Sequence, residues 1–210
     1  MTEKQKKMRI IEDEIEKLYP DAICSLEAAD AFQLLCATRL SAQCTDARVN
    51  IVTPELFAKF GTPEKMAKAD ITDVENIIMS CGLYHTKAKS LIEMANVICE
   101  KFNGQVPDNM KDLTSLPGIG RKTANLIMGD IYKQPCVVCD THFIRIMNRL
   151  GMVVTKDPAK VEKEMIKLLT PEKSGDFCHR IVHFGRDVCS ARNPKCNICP
   201  LNKVCDNKIG

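Results

Sequence analysis

Four cysteines near the C-terminal end constrain the fold of this chain more than any other feature. They lie within the last 22 of 210 residues, in the spacing C-x6-C-x2-C-x5-C, as Cys189, Cys196, Cys199 and Cys205. Four thiolates in one short loop can share one metal centre. A zinc ribbon usually joins two C-x2-C pairs across a long gap, whereas only the middle pair here is C-x2-C. The spacing therefore favours an iron–sulfur cluster over an all-cysteine zinc site.

The remaining composition indicates a globular protein that acts inside the cell. The chain is 45% hydrophobic and has no apolar run long enough to span a bilayer. Its first 17 residues are rich in Glu, Lys and Asp and lack the apolar segment of a secretory signal. Thiols stay reduced inside cells, so we expect the twelve cysteines to be metal ligands and small core residues, without a disulfide framework.

The charge of the chain is concentrated at the cysteine-rich end. The net charge is only +3, but residues 173–210 contain seven Lys and Arg and three Asp and Glu. Arg192 and Lys195 lie between the first and second cysteines of the quartet. These cations can bind phosphate groups, or they can offset the charge of a thiolate cluster, and the two roles are compatible. Aromatic residues are scarce, which argues against a stacking platform for single-stranded nucleic acid.

Hydrophobic periodicity predicts an all-α protein of about ten helices. A capping box at Thr72-Asp73-Val74-Glu75 predicts the start of one helix, and Thr62-Pro63 predicts another start. Asn103-Gly104 predicts a helix end. The predicted helices cover residues 8–18, 31–43, 45–60, 72–81, 87–102, 158–169 and 171–188, with further helices after Gly120 and Asp140.

A Pro-Gly-Ile-Gly turn separates two predicted helices at residues 117–120. Gly118 and Gly120 permit a tight turn whose backbone amides are not covered by a Cβ atom. The helix that begins near Gly120 directs free N–H groups and a positive dipole end outward, and Arg121 adds a positive charge. This arrangement suits a phosphate group, although such a turn is often only a connection between helices.

Two charged residues near helix starts are candidates for covalent chemistry. Lys122 lies in the first turn of the helix after Gly120, where the helix dipole disfavours an ammonium group. With partial burial as well, such a lysine can be a neutral amine that forms a Schiff base. Asp140 precedes an amphipathic run, where it can cap the helix and also stabilise a cation or relay a proton. Most lysines are solvated surface residues, so this alternative stays open.

The motifs together resemble the endonuclease III family, the helix-hairpin-helix DNA glycosylases that carry an iron–sulfur cluster. The matching segments occur in the family's order and cover nearly the whole chain. They are Leu40-Ser41-Ala42-Gln43-Cys44-Thr45-Asp46, Gly82-Leu83-Tyr84, residues 116–124, Asp140-Thr141-His142, His183-Phe184-Gly185-Arg186 and the cysteine quartet.

The resemblance implies a role for each matching residue. Lys122 falls on the family's Schiff-base lysine, and Asp140 falls on its catalytic aspartate. Gln43 falls on the residue that fills the space of the flipped base, and Leu83 falls on a wedge against the opposite strand. The remaining implied DNA contacts are Gly118, Gly120, Arg121, His142, Arg192 and Lys195. The implied cofactor is one 4Fe–4S cluster on Cys189, Cys196, Cys199 and Cys205.

The resemblance also implies the domain organisation and the activity. One helical domain with the hairpin covers residues 23–134, and the other joins residues 1–22 to residues 135–210, with the DNA cleft between them. The implied enzyme is a bifunctional DNA N-glycosylase and AP lyase of base excision repair that removes oxidised pyrimidines and cleaves the strand by β-elimination. We expect a monomer that acts in the cytoplasm or nucleoid on double-stranded DNA with a damaged base or abasic site.

Other classes of protein stay open at this stage. An adenine- or mismatch-specific monofunctional glycosylase of the same superfamily would generally lack Lys122 and carry a further C-terminal domain. A non-catalytic DNA-binding protein would keep the two hairpin glycines without needing Lys122 and Asp140, and an electron carrier would need only the quartet. Cys139 and His85-Thr86 differ from the residues that the family usually has at these positions. We expect these differences to affect substrate preference only.

Overall fold

Helices alone form the regular structure of the part of the chain that is described. The computed structural model describes residues 1–206, and the last four residues of the second predicted domain lie outside this range. Within residues 1–206 there are eleven α-helices, four short 3-10 helices and no β-strand, which confirms the predicted all-α class. No helix in this part of the chain combines the length and the apolar character needed to cross a membrane.

The chain divides into two compact units. We call Cys24–Tyr132 the hairpin unit, and Met1–Ile23 with Lys133–Gly210 the cysteine unit. The hairpin unit contains seven α-helices, and a 3-10 helix at Met79–Cys81 lies between the fourth and fifth of them. With the labels of the whole chain, they are α2 (Ala31–Leu40), α3 (Asp46–Phe60), α4 (Pro63–Ala67), α5 (Ile71–Ile78), α6 (Tyr84–Phe102), α7 (Met110–Leu113) and α8 (Arg121–Asp130).

Helix α6 lies at the centre of the hairpin unit's core. It packs against α2, α4 and α5. Leu91, Met94 and Ile98 are completely buried and recur every three or four residues, so they form one apolar stripe along the helix. Burial of each such side chain contributes about 1.5–3 kcal/mol of transfer free energy.

The cysteine unit is built on four α-helices whose apolar faces meet. They are α1 (Glu3–Leu18), α9 (Thr141–Arg149), α10 (Pro158–Met165) and α11 (Ser174–Asp187). Helix α11 packs against both α1 and α9. Phe143 of α9 and Phe177 of α11 are buried and meet edge to face, with ring centroids 6.2 Å apart. After α11 the chain continues in irregular loops and two 3-10 turns, Cys196–Ile198 and Asn202–Val204.

Several predicted helix ends are confirmed. At each of them one strong local signal decides where the helix starts or ends. Thr62 caps α4, and Pro63 occupies its first turn. Helix α6 ends at Phe102 and is capped by Asn103, whose φ of 51° is left-handed, and the Gly104 amide donates to the Ile98 carbonyl at 3.1 Å. The first helix ends at Leu18, before Pro20, as the sequence predicts.

Other predicted ends are wrong. The capping box at Thr72 does not form, because Asp70 caps α5 and accepts a hydrogen bond from the Thr72 amide at 2.8 Å. Helix α2 ends at Leu40 and does not reach Gln43, whose φ of 56° is incompatible with a right-handed helix. The remaining differences are in length: α6 starts three residues earlier than predicted, α10 is shorter, and a 3-10 turn at Pro171–Lys173 precedes α11.

Candidate functional site: the hairpin, the α9 cap and the cysteine loop

Two apolar side chains anchor the glycine turn of the hairpin unit in the core. Leu116 and Ile119 are buried in the core, and the Ile119 amide donates to the Leu116 carbonyl at 3.1 Å, which closes the turn. Gly118 has a φ of 75°, a conformation that favours glycine. Gly120 is the N-cap of α8, and a Cβ atom built on it would meet no atom within 4 Å. The first amides of α8 therefore begin at an open surface.

A hydrogen-bonded pair of polar side chains also packs against the glycine turn. The Arg39 Nε donates to the Ser90 Oγ at 2.9 Å. A Cβ atom on Gly118 would lie 2.8 Å from that Oγ and 2.9 Å from that Nε. The turn thus lies directly against the pair, and only glycine satisfies both the space and the backbone conformation there.

Lys122 occupies the first turn of α8, as the sequence predicts. The structure leaves Lys122 exposed, so the partial burial that entered the sequence argument is absent. Arg121 beside it is exposed as well. An exposed amine in the first turn of a helix is accessible to a large reactant.

Asp140 is the N-cap of α9, which confirms the capping prediction. Its Oδ1 accepts a hydrogen bond from the Phe143 amide at 2.7 Å, and the His142 Nδ1 lies 3.3 Å from its Oδ2. The Asp140 side chain is 16% exposed. A Cβ atom on buried Gly185 would lie 2.6 Å from the His142 ring, so the absence of a side chain at Gly185 makes room for this histidine. The carboxylate is fixed by two partners and keeps some solvent access.

Gln43 and Leu83 stand in two short segments of the hairpin unit with unusual backbone geometry. Gln43 has a φ of 56° and Leu83 a φ of 49°, both left-handed. Such a conformation costs a non-glycine residue about 1–3 kcal/mol. Gln43 is exposed, and Leu83 is 59% exposed although it is a large apolar residue. Both segments thus direct a side chain to solvent at an energetic cost.

The four cysteines of the quartet line one cavity of about 30 Å³. Ile146, Leu150 and Phe184 also line it, so its inner wall is apolar and buried. Burial raises the pKa of the Cys199 thiol, and the other three cysteines add to the effect as neighbouring charges. All-sulfur donors around one cavity suit iron in a cluster held by four cysteines.

Arg149 joins the cysteine loop to α9. Its Nη1 donates to the Cys189 Sγ at 3.3 Å and to the Ser190 carbonyl at 2.7 Å, and its Nη2 donates to the Ala191 carbonyl at 2.8 Å. The guanidinium thus places a positive charge beside the Cys189 sulfur and fixes the start of the loop. Arg192 and Lys195 in the same loop are exposed.

Comparison with known proteins identifies the relatives of this architecture. Residues 36–171 match the family model of the HhH-GPD superfamily of base excision DNA repair proteins. Residues 189–205 match the iron–sulfur binding domain of endonuclease III, and this range begins and ends on cysteines of the quartet. Endonuclease III of Synechocystis sp. is 41% identical over 91% of this chain and 88% of that relative.

The chain belongs to the endonuclease III family.

Further relatives and solved structures agree with this family. Endonuclease III of Bacillus subtilis is 39% identical over 92% of this chain and 89% of that protein. A solved structure of a non-covalent endonuclease III–DNA complex superposes with a TM-score of 0.89 at 40% identity, covering 98% of this chain and 96% of that one. A trapped endonuclease III–DNA covalent intermediate superposes with the same TM-score at the same identity, covering 98% of this chain and 97% of that one.

Family membership settles the type of enzyme and its cofactor. The chain is a bifunctional glycosylase and AP lyase of base excision repair, and the monofunctional and non-catalytic alternatives are not favoured. The cofactor is a 4Fe–4S cluster, which decides between iron–sulfur and zinc, and the cysteine-rich C-terminal region is consistent with it. The enzyme binds DNA.

Three residues with structural roles near these sites are not predicted from the sequence. They are Arg39, Arg149 and Lys87, the last of which is almost completely buried. Lys87 has a recognisable signal, since it precedes Leu91 by four residues and so continues the apolar stripe of α6. The sequence offers no comparable signal for the two arginines, because their partners are far away along the chain.

Proposed function

We propose that Lys122 is the nucleophile with which this endonuclease III family member excises oxidised or ring-saturated pyrimidines from duplex DNA. The observation that carries the proposal is an exposed amine in the first turn of α8, directly after an open glycine turn that can hold a DNA phosphate. A nucleotide anchored by its phosphate at this turn would be close to the amine. Proximity of this kind converts a bimolecular attack into an effectively unimolecular one.

The proposed reaction proceeds in two stages at Lys122. The neutral amine attacks C1′ of the extruded nucleotide, the C1′–N bond breaks, and the base leaves with the bonding electrons and takes up a proton. The C1′ adduct opens to an iminium ion, which makes the C2′ proton acidic. Loss of this proton breaks the C3′–O bond and releases the downstream strand with a 5′ phosphate, and hydrolysis of the imine frees Lys122.

We propose that Asp140 supports both stages through its carboxylate. The group can stabilise positive charge on the sugar and accept or return protons. The bond from the Phe143 amide holds one oxygen, while the other oxygen lies 3.3 Å from the His142 Nδ1. The carboxylate therefore has a fixed orientation and retains capacity to accept a further hydrogen bond.

Gln43 and Leu83 are proposed to stabilise the opened duplex. Extrusion of a base costs a few kcal/mol of stacking and pairing, least for a lesion that is already weakly paired. An amide side chain can occupy the vacated space and bond the orphaned base, and an apolar side chain can stack beside it. The exposure and left-handed backbone of both residues support these roles.

Apart from the contacts that stabilise the opened duplex, most of the proposed DNA contacts are to phosphate groups. Gly118, Gly120 and Arg121 would hold one phosphate at the start of α8, and Arg192 and Lys195 would contact the backbone from the cysteine loop. His142 would contact the DNA beside Asp140. When bound, the cluster would cross-link the cysteine loop and so fix the position of these two cations.

We propose further that the two compact units are the two domains of the enzyme and that it acts as a monomer on nucleoid DNA. The predicted boundaries, residues 23–134 and residues 1–22 with 135–210, lie within two residues of the units' limits. A monomer suffices because one chain carries every residue assigned a role.

A panel of duplexes tests the proposed substrate range. Each duplex carries one defect: an oxidised pyrimidine, a ring-saturated pyrimidine, an oxidised purine, a mismatched adenine or an abasic site. We expect excision and strand cleavage at both pyrimidine lesions, cleavage at the abasic site, and little reaction at the two purines. Preferential excision of the mismatched adenine without strand cleavage would contradict the proposal.

Substitution of the hairpin glycines tests the phosphate site. Gly118→Ala is expected to lower both stability, by about 1–3 kcal/mol, and duplex affinity, because alanine is strained at this φ and its Cβ meets the Arg39–Ser90 pair. Gly120→Ala is the matched control for stability. Its φ is −94° and its Cβ points into open space, so it should leave stability nearly unchanged while obstructing the approach of a phosphate. Denaturant unfolding and duplex titration measure the two effects, and unchanged affinity in both variants would exclude the hairpin as the phosphate site.

A further inference from the structure

A buried lysine in the hairpin unit has no part in the chemistry described above. Lys87 lies in the first two turns of α6 and is only 2% exposed. Lysine is almost never fully buried unless it is paired, because removal of its charge from water is costly. No carboxylate is among the hydrogen-bond partners of its Nζ that the structure gives. Instead, the Nζ donates to the carbonyl of Leu40 at 2.8 Å and to the carbonyl of Cys81 at 2.9 Å.

Both acceptors are the last residues of helices. Leu40 ends α2, and Cys81 ends the 3-10 helix that follows α5. Carbonyl groups at a helix C-terminus lack intrahelical donors and carry the negative end of the dipole, so an ammonium group is a favourable partner. Lys87 thus connects the ends of two helices that are about 40 residues apart in the chain.

The two segments that follow these carbonyls carry the proposed duplex-opening residues. Gln43 stands three residues after Leu40, and Leu83 stands two residues after Cys81. The lysine therefore fixes the backbone immediately before each of the two left-handed residues.

A second contact joins the same two segments. The thiol of Cys44 is a close neighbour of the Cys81 thiol. Burial raises the pKa of the Cys81 thiol to about 11, and the neighbouring Cys44 acts in the same direction. One short region thus has two cross-connections, one from Lys87 and one from Cys44.

Stability alone does not account for a lysine at this position. An apolar side chain of similar length would continue the stripe of Leu91, Met94 and Ile98. Replacement of buried charges by apolar groups is often neutral or stabilising. What an apolar residue cannot do is hold two backbone carbonyls at a fixed separation.

We propose that Lys87 is a positioning residue that holds the Gln43 segment, residues 41–45, and the Leu83 turn, residues 82–83, as one duplex-opening element. The proposal rests on the proposed roles of Gln43 and Leu83. Lys87 itself is buried and does not contact DNA; it acts through the geometry of the two segments.

Replacement of Lys87 by methionine tests the proposal, since methionine fills a similar volume without donors. We expect single-turnover excision of a paired pyrimidine lesion to fall on the order of tenfold to a hundredfold, the range for a displacement of about 1 Å. The loss should be less than about threefold for cleavage of a preformed abasic site and for a lesion in an unpaired bubble, because little extrusion remains to be done. Fluorescence of 2-aminopurine opposite the lesion should report reduced opening with the variant.

Ile98→Ala is the matched control for stability. This residue is completely buried on the same helix, eleven residues from Lys87, which corresponds to about 16 Å along the axis. The control should affect all three substrates equally. If Lys87→Met also affects all three equally, or none of them, Lys87 has only a structural role and the proposal is wrong.

Gln43→Ala and Leu83→Ala separate the failure of this proposal from failure of the proposed function. If both variants excise the paired lesion normally, the two residues do not open the duplex and the premise is lost. If they are impaired but Lys87→Met is not, only the positioning role is wrong. Should Lys87→Met fail to fold, Cys81→Ala removes the thiol contact and keeps the Cys81 carbonyl. The same selective loss, though smaller, is expected, and equal rates on all substrates would overturn the proposal.

Discussion

Replacement of Lys122 by glutamine is expected to abolish covalent trapping of the enzyme on DNA by borohydride. Borohydride reduces the iminium between the enzyme and the sugar, and glutamine has no amine with which to form it. Strand cleavage at an abasic site should fall on the order of a thousandfold or more, the scale expected when an enzyme loses its nucleophile. Single-turnover nicking and gel-resolved trapping measure the two effects.

This variant separates chemistry from folding because Lys122 is exposed. Surface substitutions of this kind usually change stability by less than about 0.5 kcal/mol, so the melting temperature should be unchanged. Lys65→Gln is the matched control, since it removes one charge from another exposed lysine in the first turns of a helix of the hairpin unit. Trapping of Lys122→Gln at the level of this control would contradict the assignment of the nucleophile.

Replacement of Asp140 by asparagine is expected to produce the second large loss. Asparagine caps helices about as well as aspartate, so the bond from the Phe143 amide and the start of α9 should persist. It cannot carry negative charge or move a proton in the same way. Excision in single turnover should therefore fall by roughly a hundredfold to ten-thousandfold, with little change in stability.

Asp157→Asn is a close control for this experiment. Asp157 caps α10 of the same unit by accepting bonds from the Ala159 and Lys160 amides, and no chemical role is assigned to it. Its variant should match Asp140→Asn in stability but retain full activity. An Asp140→Asn enzyme as active as the Asp157→Asn enzyme would mean that Asp140 is only a helix cap.

The sequence was most informative where local geometry decides the outcome. A polar residue before an amphipathic run predicted Asp140 as a cap, and Thr62-Pro63 predicted the start of α4, because both signals involve only neighbouring residues. The spacing of the quartet predicted a shared site, since cysteines in one short loop are necessarily close together in space. Thr72 failed as a cap because Asp70, two residues earlier, caps α5 and so places Thr72 inside the first turn of the helix.

Features that depend on tertiary contacts could not be predicted in the same way. The burial of Lys87 depends on two carbonyls that other helices supply. The exposure of Lys122 depends on how the turn before α8 packs on Leu116 and Ile119. The left-handed backbone of Gln43 ends α2 early, although helical periodicity continues past Leu40 in the sequence. In each case the deciding atoms are distant in the chain or lie in the backbone itself.

The most direct test of the central claim is to locate the trapped adduct within the chain. The enzyme is reduced with borohydride on an abasic duplex, digested with nuclease and trypsin, and analysed by mass spectrometry. The account predicts a peptide of residues 122–133 that carries the sugar remnant on Lys122, because the modified lysine resists cleavage while Arg121 and Lys133 are still cut. An adduct on the N-terminal amine of Met1, or on any other lysine, would contradict it.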